Sequence, residues 1–186
     1  MRIVFIRHGK TKGNLSKCYI GKTDEPLCDT GISELKKHSY PECSVLVCSP
    51  MKRCVQTAEI IYPGQKMQLC SEMRECDFGD FEGKNHIMLT GDAAYQEWID
   101  SGGMARFPNG ESPHDFRRRC CEAFEKIMSV YKNETSAAFV VHGGTIMSVL
   151  EKYAVPKRGY YYSQCGNGEG YDCEWDGVHL YIRESI

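Results

Sequence analysis

Three short segments carry residue types that together could move a phosphoryl group. Arg7-His8-Gly9 and His142-Gly143-Gly144-Thr145 each place an imidazole directly after an apolar run. Ser49-Pro50-Met51-Lys52-Arg53 places a guanidinium shortly after a third such run. A neutral imidazole is a competent nucleophile. Arginines and a second histidine can hold phosphoryl oxygens and the charge that builds on them during transfer. A carboxyl group is then needed to protonate the departing oxygen. Glu75, Glu82 and Asp80 all stand close together as candidates, and their types alone do not separate them. His142 could equally be a satisfied core histidine, and Arg53 a solvated helix residue.

Chemistry at those places needs elements that converge. Arg2–Ile6, Ser44–Cys48, Lys66–Cys70 and Ala137–Val141 are short β-rich runs, as expected of strands buried on both faces. Helical spacing is expected over Gly31–Tyr40, Pro50–Tyr62 and Gly143–Tyr153, with Pro50 at a first helical position. Ser112-Pro113-His114-Asp115 has the composition of a helix start, and the apolar stripe that follows runs to Tyr131. The alternation predicts an α/β fold with a mostly parallel central sheet between two helical layers. Both histidines then lie at carboxyl ends of strands, the edge where open α/β sheets bind ligands. Tyr171–Trp175 and Val178–Arg183 are expected to form a hairpin turned by Asp176-Gly177. Residues 77–110, rich in Gly, Asp and aromatics with one helix at Asp92–Ser101, are expected to be an insertion over the active-site edge of a single domain spanning 1–186.

Composition narrows the class. The chain has 186 residues, 26% charged and 41% hydrophobic, with a net charge of −2. Such values give no electrostatic reason to bind nucleic acid or a membrane surface. No apolar run approaches the roughly 20 residues of a membrane span. The apolar start is too short for a signal peptide, so a cytoplasmic location is expected. Eleven cysteines are present, but none is spaced C-x-x-C. They are expected to be reduced, small hydrophobes rather than metal ligands or disulfides. Arg117-Arg118-Arg119 point to different faces of a helix, so a solvated or capping role is expected.

Six ordered motifs resemble those of the histidine phosphatase superfamily, in its phosphoglycerate mutase-like branch. Arg7-His8-Gly9-Lys10-Thr11 with Asn14 looks like the R-H-G-x-T-x-x-N opening. Gly21, Asp24, Pro26-Leu27 and Gly31 follow, and Ser49-Pro50, Arg53 and Gln56-Thr57-Ala58 are similar to S-P-x-x-R-x-x-Q-T-A. Glu75 with Phe78-Gly79 and Phe81-Glu82-Gly83, then Pro108 with Gly110-Glu111-Ser112 and Arg117, then Val141-His142-Gly143-Gly144-Thr145 complete the series. The resemblance implies that His8 is the phosphorylated nucleophile. It implies a phosphate pocket of Arg7, Arg53 and His142, with donors from Asn14 and the Gly143 backbone. Glu75 becomes the general acid and then the base that activates water. Neither metal nor cofactor is implied, and the partner is a small phosphomonoester; the chain is expected to be a monomer or homodimer.

The resemblance also bears on what happens to the phosphoryl group. The 84–107 stretch is short, the adjacent arginine pair that mutases use for the substrate carboxylate has no clear counterpart, and Ile20 stands where mutases usually have a hydroxyl. These departures favour phosphomonoester hydrolysis over a phosphoglycerate mutase. Residues 18–28 look particularly like the α-ribazole-5′-phosphate phosphatases of cobalamin assembly. Gly21 and Tyr161 are candidate substrate contacts. The Tyr160-Tyr161-Tyr162 run either walls a pocket or packs on the sheet edge. Cys54 and Cys76 adjoin Arg53 and Glu75, so their oxidation is expected to remove activity.

Overall fold

The computed structural model describes residues 1–186. Seven strands form one sheet: β1 (Arg2–Arg7), β2 (Val45–Cys48), β3 (Met67–Leu69), β4 (Ser136–Val141), β5 (Ala154–Val155), β6 (Gly170–Trp175) and β7 (Leu180–Ser185), in the order β3-β2-β4-β1-β6-β7-β5. The pairs β3–β2, β2–β4, β4–β1 and β5–β7 are parallel, while β6 runs against both of its neighbours. The sheet is thus mixed but mostly parallel, with helices on both faces.

Period-two alternation decides which side chains meet which layer. Ile3 and Phe5 of β1, Val45 and Val47 of β2, and Ala137, Phe139 and Val141 of β4 share one core. It is filled from α5 (Pro113–Val130) by Phe124 and Ile127 and from α6 (Gly143–Tyr153) by Ile146, Val149 and Leu150. The intervening residues, Val4, Ile6, Leu46, Cys48, Ala138 and Val140, face the opposite layer. There they meet Cys54 and Ala58 of α3 (Lys52–Ile61). A third cluster, built on Phe81, Leu89, Tyr95, Phe107 and Phe116, joins the 77–110 segment to α5. That segment carries α4 (Ala93–Asp100), capped by the Asp92 side chain on Tyr95 N–H.

Several boundaries differ from the periodicity for identifiable reasons. A short helix, α1 (Lys12–Leu15), follows β1 with Thr11 as its cap. The expected 31–40 helix is α2 (Asp29–Leu35); Cys28 Sγ accepts from Gly31 N–H and starts the helix early. Pro50 lies outside α3, whose cap is the extended Met51. The carboxylate of Asp24 receives the Lys52 N–H at 2.7 Å, a distant side chain standing in for a local cap. The terminal hairpin turns through residues 176–179 and not through Asp176-Gly177 alone, since Trp175 pairs with Leu180. Asp176 Oδ1 accepts from the N–H groups of both Val178 and His179, which holds the wider loop.

Phe124 is fully buried and its ring lies 5.3–5.9 Å from those of Phe5, Phe139, Tyr153 and Trp175. Removing it opens a cavity that rigid neighbours cannot collapse into. Phe124→Ala is expected to lower stability by about 3–5 kcal/mol, read from chemical denaturation; a loss below about 1 kcal/mol would show that this layer repacks freely.

Candidate active site

The site forms where β1 and β4 end side by side. His8 N–H still donates to the Val141 carbonyl at 3.0 Å, extending the β1–β4 pairing one step past the strand. His8 and His142 therefore leave adjacent strands at one level, with ring centroids 5.3 Å apart. His142 also caps α6, so the first turn of that helix, beginning at Gly143, opens toward the same place. Free N–H groups and the positive end of a helix suit an anion there.

His8 Nδ1 lies 2.7 Å from the carbonyl of its neighbour Gly9. A carbonyl only accepts, so Nδ1 carries the proton and Nε2 keeps its lone pair. Burial lowers the His8 pKa well below the ordinary 6.5, and the Arg53 and Arg7 guanidinium groups push the same way. The Gly9 carbonyl opposes them and loses. His142 is fully buried and is held neutral by burial, Arg53, His8 and Arg7 in turn. Its Nε2 shares a hydrogen bond with Ser49 Oγ at 2.8 Å, and that oxygen also receives the Met51 N–H at 3.5 Å.

Both arginines are held by backbone carbonyls. Arg53 has no exposed surface; its Nη1 donates to Thr23 O and its Nη2 to Gly21 O, each at 2.8 Å. Arg7 Nη1 donates to Cys165 O at 2.7 Å. The Nε of each is buried without a partner. No carboxylate forms an ion pair with either.

Glu75 faces this group from the loop after β3. Its Oε1 accepts from Cys76 N–H at 2.9 Å and its Oε2 from Gly144 N–H at 3.4 Å. The approach needs a glycine, because a Cβ at position 144 would lie 2.5 Å from Glu75 Oε1. Burial raises the Glu75 pKa above the ordinary 4.5, against the pull of those two N–H groups and both arginines. The competing carboxylates lie elsewhere. Glu82 accepts from the N–H groups of Gly21 and Lys22 and from Thr23 Oγ1, bracing the 21–23 loop. Asp80 is exposed and receives the Asn109 amide.

Asn14 Oδ1 accepts from Thr11 N–H, Thr11 Oγ1 and Asn167 Nδ2 at 3.0–3.1 Å. With its oxygen so occupied, its NH2 is free to donate into the cavity that Asn14 lines. Asn167, which the motifs did not flag, also donates to the His8 carbonyl. Gly21 does not line the cavity: its carbonyl anchors Arg53, and a Cβ on it would lie 1.8 Å from the Cys76 carbonyl. It is a structural support for Arg53 and not a substrate contact. Tyr160 and Tyr161 line the cavity wall and do not pack on the sheet edge, while Tyr162 is exposed. The arginine triplet is likewise not simply solvated. Arg118 pairs with Asp115 on the surface, but Arg117 stacks 3.8 Å over Tyr160 and pairs with Glu151, and Arg119 is largely buried.

The cavity above His8 has a volume of about 470 Å³. Arg7, His8, Asn14, Glu75 and Gly143 meet at its inner end, with Arg53 and His142 buried beneath. Its outer walls carry Tyr19, Phe78, Trp98, Phe107, Phe116 and Tyr160. Cys54 and Cys76 are enclosed, and burial pushes both thiols far above their ordinary range. Neutral, enclosed thiols are poor targets for oxidation, contrary to the expectation from their neighbours in sequence.

The profile of the histidine phosphatase superfamily (branch 1) matches residues 3–184. The chain belongs to that superfamily. As a histidine phosphatase of the phosphoglycerate mutase family it is an enzyme. It is 28% identical over 160 residues to the adenosylcobalamin/alpha-ribazole phosphatase of Salmonella typhimurium, covering 82% of this chain and 79% of that one. The alpha-ribazole phosphatase of Shigella flexneri shares its fold with a TM-score of 0.87 and 23% identity, over 98% of this chain and 95% of that one. A phosphoglycerate mutase of Thermus thermophilus aligns with a TM-score of 0.77 and 25% identity, over all of this chain and 98% of that one. No helix of this histidine phosphatase is long and apolar enough to cross a membrane.

The two perturbed groups set a pH profile. With His8 in the nucleophile's role that the motifs imply, it must be neutral, and kcat/KM is expected to fall on the acid side as it is protonated; its lowered pKa moves that limb below 6.5. With Glu75 in the general acid's role that the motifs imply, it must be protonated, and kcat/KM is expected to fall on the alkaline side; its raised pKa moves that limb above 4.5. Glu75→Gln is expected to remove the alkaline limb and to slow turnover of alkyl phosphates by roughly 10²–10⁴-fold. Persistence of that limb in the variant would assign it to another group.

Proposed function

We propose that this histidine phosphatase hydrolyses small phosphomonoesters through a phosphohistidine on His8. One observation carries the reading: a neutral imidazole with its tautomer set by Gly9 lies in the field of two guanidinium groups, Arg53 and Arg7, that form no ion pair with a carboxylate. A phosphoryl group supplies the missing negative charge. In the first step Nε2 bonds to phosphorus as the ester P–O bond breaks, and the Glu75 proton passes to the departing oxygen. In the second, water bonds to phosphorus and gives a proton to the Glu75 carboxylate. The P–N bond breaks, and its electron pair returns to Nε2. Arg7, Arg53, His142 and Asn14 hold the non-bridging oxygens in both steps, and helix α6 adds its first N–H groups.

We infer that the substrate carries a flat, largely apolar group, and α-ribazole 5′-phosphate fits that description. The support is the ring of aromatic side chains outside the phosphate end and the kinship with adenosylcobalamin/alpha-ribazole phosphatase. The Thermus thermophilus neighbour keeps a mutase reading in view. A mutase acting on phosphoglycerate needs a cation for the carboxylate. Of the cations that line the cavity, Arg117 is already paired with Glu151 and stacked on Tyr160, whereas Lys17 has no ion-pair partner.

The wild type is expected to hydrolyse p-nitrophenyl phosphate without added metal and to yield acid-labile phosphohistidine, with both lost in His8→Ala. Ranked by kcat/KM, α-ribazole 5′-phosphate is expected to exceed 3-phosphoglycerate and sugar phosphates. Turnover surviving in His8→Ala would remove the nucleophile assignment. Bisphosphoglycerate-dependent exchange faster than hydrolysis would establish the mutase instead.

A further inference from the structure

Arg119 takes no part in the steps above, yet it is the most fully engaged side chain near them. A guanidinium has five N–H donors. Here Nε donates to Glu111 Oε1 at 2.7 Å, and Nη2 donates to Glu111 Oε2 at 2.8 Å and to the Glu75 carbonyl at 3.0 Å. Nη1 donates to the carbonyls of Glu72 and Arg74 at 2.6 and 2.8 Å. Every donor is used, and three acceptors are backbone carbonyls of the short segment that carries Glu75. The ring of Phe116 lies 4.9 Å from the guanidinium carbon on α5. Glu111 adds a second tie, with its N–H donating to the Asp77 carbonyl at 2.9 Å.

The Glu75 carboxyl, in contrast, has no side-chain partner. Its donors are Cys76 N–H on the same segment and Gly144 N–H at 3.4 Å. Its position is therefore inherited from its backbone. That backbone is held from outside by Arg119, with a smaller contribution from Thr145 Oγ1 on the Met73 carbonyl at 3.3 Å.

We propose that Arg119 is the positioning residue for Glu75: three of its five hydrogen bonds fasten the loop to α5, the two to Glu111 hold the guanidinium in place, and together they set the carboxyl against the phosphorus on His8. The proposal rests on the phosphohistidine reading. It makes Arg119 matter wherever Glu75 transfers a proton. Breaking the P–O bond to a basic alkoxide needs that proton, and water attacking the P–N bond must surrender one. p-Nitrophenolate departs without help, so its release in the first step barely depends on where Glu75 stands.

Arg119→Lys and Arg119→Gln, compared with wild type by rapid quench, separate these steps. The expected result is a stoichiometric p-nitrophenolate burst whose rate changes by less than about fivefold, while steady-state turnover falls roughly 100-fold, the cost of a misplacement near 1 Å. Phosphohistidine then accumulates, and the preference for p-nitrophenyl phosphate over glycerol 2-phosphate rises. Unchanged turnover, or burst and steady state falling by the same factor, would overturn the proposal. Should neither variant fold, Glu111→Gln decides, because it leaves the carbonyl ties in place and weakens the grip on Arg119. A smaller shift of the same kind upholds the proposal, and none overturns it. A wild type that forms no phosphohistidine defeats the functional reading and this inference together. A wild type that forms it, beside variants with unchanged partition, defeats only this one.

Discussion

Uncompensated positive charge among buried side chains is the constraint on which the site depends. A buried guanidinium without a counter-ion is costly, and its cost falls when carbonyl dipoles surround it. The chain uses whole loops for that purpose. Residues 20–23 curl so that the Gly21 and Thr23 carbonyls meet Arg53, and Glu82 braces the N–H side of the same loop. Cys165 does the equivalent for Arg7 from the segment before β6. Burial first, and then the same charge, keeps His8 and His142 neutral. The Glu75 carboxyl faces it, and burial opposes the ionisation that would quench it, so the field at the inner end of the cavity survives.

The sheet then makes the geometry rigid. β1 and β4 are central, paired on both sides, and their side chains fill two separate cores by simple alternation. Two imidazoles leaving adjacent parallel strands have little freedom to drift apart. Glu75 comes from a loop outside this frame and needs ties of its own. The contrast explains why hydrogen bonds to backbone carbonyls crowd around residues 72–77 and are few around the histidines.

What could be read from the sequence was whatever depends on local pattern. Apolar runs located β1, β2 and β4, and Ser112-Pro113 marked the start of α5. His8 and His142 stood out because an imidazole after such a run is unusual, and ordered motifs singled out Arg53 and Glu75. Illegible were the interactions that join side chains to distant backbone. Asp24 capping α3, Gly21 supporting Arg53 and Asn167 orienting Asn14 depend on loop paths that residue types do not encode. Arg119 was hidden in a run of three arginines whose members separate only once α5 has neighbours. The Asp176 turn was misjudged because its side chain holds a wider loop than the Asp-Gly pair implies.

The cavity has two ends of different origin. Its inner end comes from the tips of β1 and β4 together with Asn14 and Glu75, whereas its walls come from residues 17–20, 77–110, the first turns of α5 and the turn at Tyr160–Ser163. On the proposed reading, the walls can change by insertion, deletion or exchange while the strand tips that carry His8 and His142 stay as they are. The division makes the scaffold a natural starting point for redesign by loop replacement.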